Sequence, residues 1–235
     1  MARKSLVSTV ADALLDQIVT GQIPVDGALP TEAELCETHD VSRMTVREAL
    51  KTLQAQNVVR VQAGRGTYVN PVAQWTDLGP ILRATSQGAD QGVASVQLVE
   101  VRRMIETGAA ALAATRRSDQ DLEKLELLLQ RMRDAHASNN LASFVEADIA
   151  FHDVIFRATG NVFVAVLFEP LAKVMYAKRQ QTSAVIEIQV HAIAKHAAVL
   201  EAIRSGDPER ARLAMDDHMT QTSDDLREFV LRTTG

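Results

Sequence analysis

From residue 95 to the C-terminus, apolar residues recur at the three- and four-residue spacing of α-helices, and no convincing strand interrupts them. This period leaves the segment little choice other than helices packed on helices. Residue types that start or stop helices divide it at regular intervals: Ser118 before Asp121, Gly160, Gly206, and Asp207 before Pro208. About six helices fit between these points, so the segment predicts an all-α bundle.

The first 70 residues have a different organisation, in which three short helical patterns precede two β-type runs. An apolar stripe over residues 5–20 ends at Gly21, and Thr31 with Glu34 forms a capping box for a second helix. A third helix follows over residues 42–53, with Ser42 as its N-cap. Two valine-rich runs around a glycine-rich turn then predict a hairpin. Together these patterns predict a winged helix-turn-helix.

The third helix has two unlike faces. One face is apolar, and the other carries hydrogen-bond donors and positive charge: Arg43, Thr45, Arg47 and Lys51. Such a helix suits a DNA major groove, with its first turns facing base edges and phosphates. Arg65, at the hairpin tip, is placed to reach the adjacent minor groove. Taken alone, the helix could equally be a solvated surface helix and the turn a plain hairpin. Their succession along the chain favours DNA binding.

The predicted domains are residues 1–70, which bind DNA, and residues 95–235, which form the bundle. Residues 71–94 predict a connector containing one short helix, which docks through Trp75 and Leu82. The single cysteine, Cys36, rules out an intrachain disulfide framework and fits a reducing cytoplasm. No signal-type or membrane-spanning apolar run is present. The formal net charge of −5 argues against non-specific coating of nucleic acid but not against a local basic patch.

A set of histidines in the bundle predicts a divalent metal site. Asp148 and His152 are four residues apart and therefore share one helical face. His196 and His218 lie midway along two later helices. One carboxylate and three imidazoles are a plausible ligand set for a divalent metal. Any single helical histidine is more often structural, and we assign that role to the three others singled out: His39, His136 and His191.

Three motifs in order, LPTEAEL, VSRMTVREAL and GRGTYV, resemble the winged-helix domain of the GntR family of bacterial transcriptional regulators. The resemblance implies that Arg43, Thr45 and Arg47 meet the operator from the recognition helix, with Arg65 and Gly66 on the wing. Two positions depart from the family pattern. Ala33 stands where an arginine is often found, and Met44 replaces a small polar residue.

Three further motifs, EVRRMIETGAA, DIAFHDVIFRATGN and KHAAVLEAIRSGDPERARLAMDDHM, resemble the FCD-type ligand-sensing domain of the FadR subfamily. Many such domains bind zinc or nickel through an aspartate and three histidines, which the resemblance places at Asp148, His152, His196 and His218. It also implies that Arg102 and Asn161 line the effector cavity. The plainer interpretation of Arg102 is an exposed partner of Glu106, four residues away.

These observations predict a homodimeric repressor that binds double-stranded operator DNA. A small carboxylate, a sugar acid or another organic acid, would bind at the metal and release the protein from DNA. Two alternatives remain open from the sequence. One is a metal-dependent hydrolase or other metalloenzyme that uses the aspartate and histidines to activate water. The other is a scaffold whose winged helix binds protein rather than DNA.

Overall fold

A computed structural model describes residues 5–87 and 91–231 of the chain. Two compact units share these residues, and the division between them falls between Gln91 and Gly92. The division lies within the predicted connector, residues 71–94. No helix in the described ranges combines the length and apolar character needed to cross a membrane.

The N-terminal unit is a helix-turn-helix followed by a hairpin and one further helix. Its elements are α1 (Leu6–Val19), α2 (Glu32–His39), α3 (Arg43–Ala55), β1 (Val59–Gln62), β2 (Gly66–Val69) and α4 (Leu78–Gln87). Each of the first three helices begins at a hydroxyl side chain that accepts a hydrogen bond from the backbone of its first turn: Ser5, Thr31 and Ser42. Asp40, in the left-handed conformation at φ 50°, ends α2 and turns the chain into α3.

One apolar core holds this unit together. Leu14 of α1, Val46 of α3 and Val69 of β2 are completely buried within it. Trp75 follows a single 3₁₀ turn at Val72–Gln74 and packs into the same core, where its indole N–H donates to the Asn70 carbonyl at 2.9 Å. The hydrogen bond compensates the one polar atom of a large apolar side chain.

The hairpin is antiparallel, with Val59 opposite Val69 and Gln62 opposite Gly66. Its tip is a tight turn, in which the Arg65 N–H donates to the Gln62 carbonyl at 2.9 Å. Gly64 has φ +71°, a conformation that residues with a Cβ rarely adopt, so a glycine is needed there. The turn holds the exposed Arg65 at the end of the wing.

The C-terminal unit contains six α-helices in its described residues. They are α5 (Gln91–Arg116), α6 (Asp119–Ala137), α7 (Leu141–Ala158), α8 (Val162–Thr182), α9 (Ile186–Arg204) and α10 (Pro208–Asp225), and a π-helical turn at Leu226–Leu231 extends the last of them. The predicted fold, a winged helix-turn-helix followed by an all-α bundle of about six helices, is confirmed. Helix α7 presents Phe144, Phe151 and Phe156 to the interior.

The start of α6 provides a test of how local signals stabilise the bundle. Ser118 Oγ accepts from the Asp121 N–H at 3.2 Å, and Asp121 Oδ2 accepts from the Ser118 N–H at 2.9 Å. We expect Ser118→Ala to lower the free energy of unfolding by about 1 kcal/mol, because a backbone N–H loses its acceptor. Ser118→Gly is the matched control and should lose only a few tenths, since glycine is a tolerated N-cap. Urea denaturation measures both, and equal losses would contradict the capping role.

Candidate metal centre, ligand cavity and nucleic-acid interface

Three histidines from three helices meet inside the C-terminal unit. His152 on α7, His196 on α9 and His218 on α10 are all buried, with exposures of 1%, 1% and 4%. Their ring centroids are 5.1 Å apart for His152 and His196, 5.4 Å for His152 and His218, and 4.5 Å for His196 and His218. One nitrogen from each ring lies within 4.8 Å of the others. Side chains separated by as many as 66 residues in sequence therefore converge on one point.

Polar contacts orient two of the three rings, those of His152 and His196. His152 Nδ1 lies 2.7 Å from Glu106 Oε2, and His196 Nδ1 donates to the Ala192 carbonyl at 2.7 Å. Each ring then keeps its lone pair on Nε2, the form in which imidazole binds metals. Burial lowers the pKa of His196 and of His218, and the surrounding positive charge lowers both further. These two side chains are therefore neutral at pH 7.

The residues fit a divalent cation. His196 Nε2 lies 3.1 Å from Asp148 Oδ1, so a lone pair faces a carboxylate oxygen, an arrangement that a cation between them would stabilise. His152 Nε2 and both ring nitrogens of His218 are buried without a hydrogen-bond partner. Buried polar atoms rarely lack a partner unless a ligand or ion supplies one. Asp148 lies one helical turn before His152 and also contacts Nη1 of Arg179.

Glu106 on α5 is the carboxylate that orients His152. Its side chain is completely buried, and Oε1 accepts from Arg102 Nε at 2.6 Å. Burial alone would raise the pKa of Glu106, but Arg102 and His152 outweigh it and hold the pKa well below the usual value. Carboxylates in this position fix the tautomer and direction of a metal-binding histidine. The sequence marked Glu106 only as an exposed partner of Arg102; the structure buries the pair.

A cavity of about 100 Å³ lies beside the histidine cluster, and His218 belongs to both. Arg102, Asp148 and His218 all line it, as does Arg179 of α8. Arg102 and Arg179 each bury an Nη2 that has no hydrogen-bond partner. Burial lowers the pKa of Arg179, and the like charge of Arg102 lowers it further. A bound anion would relieve both effects, because it supplies acceptors and negative charge together.

The other residues predicted for this unit lie elsewhere. Asn161 is exposed and caps α8, where its Oδ1 accepts from the Phe163 N–H at 3.0 Å, and it is not among the residues lining the cavity. His136 pairs with Gln189 at 2.8 Å, and His191 pairs with Asp225 at 2.9 Å. Neither belongs to the histidine cluster. Sequence reasoning overlooked Arg179, because its helix carries no motif that points to a site.

The N-terminal unit presents its predicted DNA contacts on α3 and the wing. Arg43 and Arg47 are exposed on α3, and the half-buried Thr45 places its hydroxyl 3.0 Å from that of Ser42. Arg65 and Gly66 are exposed at the hairpin tip. Arg47 Nε donates to Glu32 Oε2 on α2 at 2.9 Å, while 60% of the arginine side chain stays exposed. This ion pair, which the sequence did not indicate, holds Arg47 by one nitrogen.

A winged helix with arginines on its recognition helix, in one chain with an all-α unit whose cavity is lined by two arginines, defines a ligand-responsive transcriptional regulator. Residues 6–69 match the bacterial regulatory proteins of the gntR family, and residues 97–221 match the FCD domain. The chain therefore belongs to the GntR family and carries an FCD effector domain. Because this family and its similar relatives are transcriptional regulators, the metalloenzyme alternative is wrong.

Similar proteins match this chain over nearly their whole length. The regulator LutR of Bacillus subtilis is 29% identical over 219 residues, which cover 90% of this chain and 97% of LutR. The galactonate operon transcriptional repressor of Escherichia coli is also 29% identical, over 91% of this chain and 93% of the repressor. The solved structure of Streptococcus agalactiae GntR is 28% identical, with a TM-score of 0.53 over 93% of this chain and 99% of that one.

Proposed function

We propose that the protein is a repressor that leaves its operator when a small carboxylate binds beside a metal ion in the C-terminal unit. The observation that carries this proposal is the overlap of two features at one place. His218 and Asp148 belong to the candidate metal ligands and also line the cavity that contains Arg102 and Arg179. A ligand in the cavity would therefore meet cationic side chains and the metal site together.

The proposed metal is zinc or nickel, held by His152, His196, His218 and Asp148. Neutral imidazoles with one carboxylate suit these ions better than magnesium or calcium, which prefer oxygen ligands. When bound, the ion would act as a Lewis acid toward an oxygen of the effector. Arg102 supplies N–H donors to the effector carboxylate, in the geometry that guanidinium and carboxylate groups share. Arg179 is placed to do the same once Asp148 no longer occupies it.

The size of the cavity and the two arginines that line it support a short acid as the effector. A space of about 100 Å³ beside two arginines favours a compact anion over a long acyl chain. The name of the galactonate operon repressor connects one similar protein with a sugar acid. For this chain we propose a sugar acid or another short organic acid.

We further propose that two copies of the chain bind a palindromic operator. Helix-turn-helix dimers match operators with the same two-fold symmetry, and phosphate contacts set the position while recognition-helix side chains read the bases. Arg43, Thr45 and Arg47 would contact the major groove, with Arg65 and Gly66 at the minor groove. The effector can lower DNA affinity only if it binds more tightly to the conformation that does not fit the operator.

Operator release tests the proposal. We would select a duplex from a random DNA pool with the zinc-loaded protein and follow binding by fluorescence anisotropy. At least one acid in a panel of hydroxy acids and sugar acids should weaken binding by about 5- to 150-fold, the usual range of allosteric coupling. Mass measurement of the complex should give two chains per duplex.

Two arginine variants give this experiment its control. Arg102→Ala should bind the duplex as the parent does but lose its response to the acid, because the carboxylate loses a donor. Arg103→Ala is the matched control, because Arg103 is next to Arg102 in the chain. The Arg103 side chain is half-exposed and pairs with Asp216 at 2.6 Å. It should keep the full response. A full acid response in Arg102→Ala, or an acid response that persists after metal removal, would contradict the proposed site.

A further inference from the structure

The cavity has two ends at different levels of the bundle. Arg103 pairs with Asp216 at 2.6 Å, and Gly92 packs against Leu231, so α5 and α10 run antiparallel. Position 102 therefore lies level with His218, and position 95 lies near Asp225. Seven residues separate the two levels on each helix, which corresponds to about 10 Å along the axis at 1.5 Å per residue.

The two ends differ in chemistry. The first holds the guanidinium groups of Arg102 and Arg179, and His218 of the histidine cluster. The far end holds one carboxylate and several neutral polar side chains: Asp225, Ser95, Ser183, Gln221 and Thr222. Apolar side chains, among them Leu226 and Val230, lie beside them. A ligand that spans the cavity therefore meets positive charge at one end and hydrogen-bond acceptors at the other.

Asp225 is the far-end group that should discriminate most strongly between possible ligands. Its side chain is only 7% exposed. Oδ1 lies 2.9 Å from His191 Nδ1 and accepts from Gln221 Nε2 at 2.9 Å. Both of these contacts reach the same oxygen, and Oδ2 has no hydrogen bond among the described contacts. A carboxylate oxygen that faces a partly closed cavity is stabilised by a donor and destabilised by an apolar group or a second anion.

We propose that the effector is an acid whose far end carries a hydrogen-bond donor, which Asp225 accepts while Arg102 and Arg179 hold the carboxylate. The inference rests on the proposed function and narrows it: Asp225 selects hydroxy acids or amino acids against fatty acids and dicarboxylic acids. An apolar end leaves Oδ2 without a partner. A second carboxylate faces a like charge in a buried space, which is an element of repulsion that creates specificity.

Matched six-carbon acids test the selection. Hexanoate, 6-hydroxyhexanoate, 6-aminohexanoate and adipate differ only in the far-end group, and calorimetric titration of the full-length protein in the presence of zinc measures each affinity. The hydroxy or the amino acid should bind about 10- to 100-fold more tightly than hexanoate, as expected for a hydrogen bond to a charged group. Adipate should bind more weakly than either. The better of the two identifies the donor as a hydroxyl or an ammonium group.

Asp225→Asn then assigns the effect to this side chain. The variant keeps the shape and one acceptor but removes the charge, so adipate should gain at least tenfold in affinity relative to 6-hydroxyhexanoate. Asp217→Asn is the matched control, since Asp217 lies on the same helix, is 61% exposed and pairs with Lys195. It should leave the order of affinities unchanged. Melting temperatures of both variants establish that they fold.

Two contrary results are distinguishable. If the acids bind without regard to the far-end group, or if adipate binds best, the selection by Asp225 is wrong and the carboxylate-binding function stands. If none of these acids and no sugar acid binds at all, the selection by Asp225 and the proposed function both fail.

Discussion

His196→Ala is expected to lower the affinity for zinc by more than about 100-fold. Loss of a residue that only hydrogen-bonds to a metal ligand already costs about 10- to 100-fold, and this change removes a proposed ligand itself. His196 contributes a lone pair that nothing else at the site replaces, and its ring is fixed by the Ala192 carbonyl. Metal analysis of protein purified with zinc should give about one ion per parent chain and almost none per variant chain.

The control for this prediction is His136→Ala. His136 lies in the same unit and is hydrogen-bonded to Gln189, but it is outside the cluster. It should retain the metal. Zinc should also raise the melting temperature of the parent and not that of His196→Ala, since an ion that binds only the folded state stabilises it. Full metal occupancy in the variant would contradict the assignment of the site.

Arg47→Ala is expected to weaken operator binding by about 1–3 kcal/mol, roughly 5- to 150-fold, if the guanidinium reads a guanine. The side chain is exposed on the first turns of α3 and held by Glu32 through a single nitrogen, so its remaining donors can face the DNA. Titration of the selected duplex at several salt concentrations distinguishes base reading from phosphate contact. Loss of a base contact changes the sequence preference, whereas loss of a phosphate contact reduces the salt dependence of binding.

Arg212→Ala is the matched control for Arg47→Ala. Arg212 is partly exposed, at 43% of its side chain, and also pairs with a glutamate, Glu209 at 2.6 Å, but it lies on α10 of the other unit. Its loss should leave operator affinity unchanged. Equal weakening by the two variants would show only an effect of net charge, and unchanged affinity in Arg47→Ala would contradict its assigned role.

The elements of this fold could be predicted because their signals are local. Thr31 with Glu34, and Ser118 with Asp121, form capping boxes across three residues, and both do so in the structure. The cluster of His152, His196 and His218 could be predicted in part, because buried positions midway along packed helices tend to face a common interior.

Contacts between distant helices could not be predicted in the same way. Glu106 and His152 are 46 residues apart, and their 2.7 Å contact depends on how α5 packs beside α7. Arg179 reaches Asp148 from α8, whose sequence carries no metal or anion motif. Asn161 shows the opposite difficulty: family resemblance suggested a place in the cavity, whereas its local role is to cap a helix. The rotation and packing of the helices decide which of these side chains meet, and no periodic pattern in the sequence indicates either of them.

Under the proposed function, Glu106 would connect the response of the regulator to the metal supply of the cell. One carboxylate binds both Arg102 and His152, so an acid that draws Arg102 away leaves more negative charge for the imidazole and makes it a stronger ligand. Linkage is reciprocal: whatever factor the acid adds to zinc affinity, zinc must add to acid affinity. The concentration of nutrient that induces the genes would then shift with zinc availability, and a cell short of zinc would need more acid for the same response.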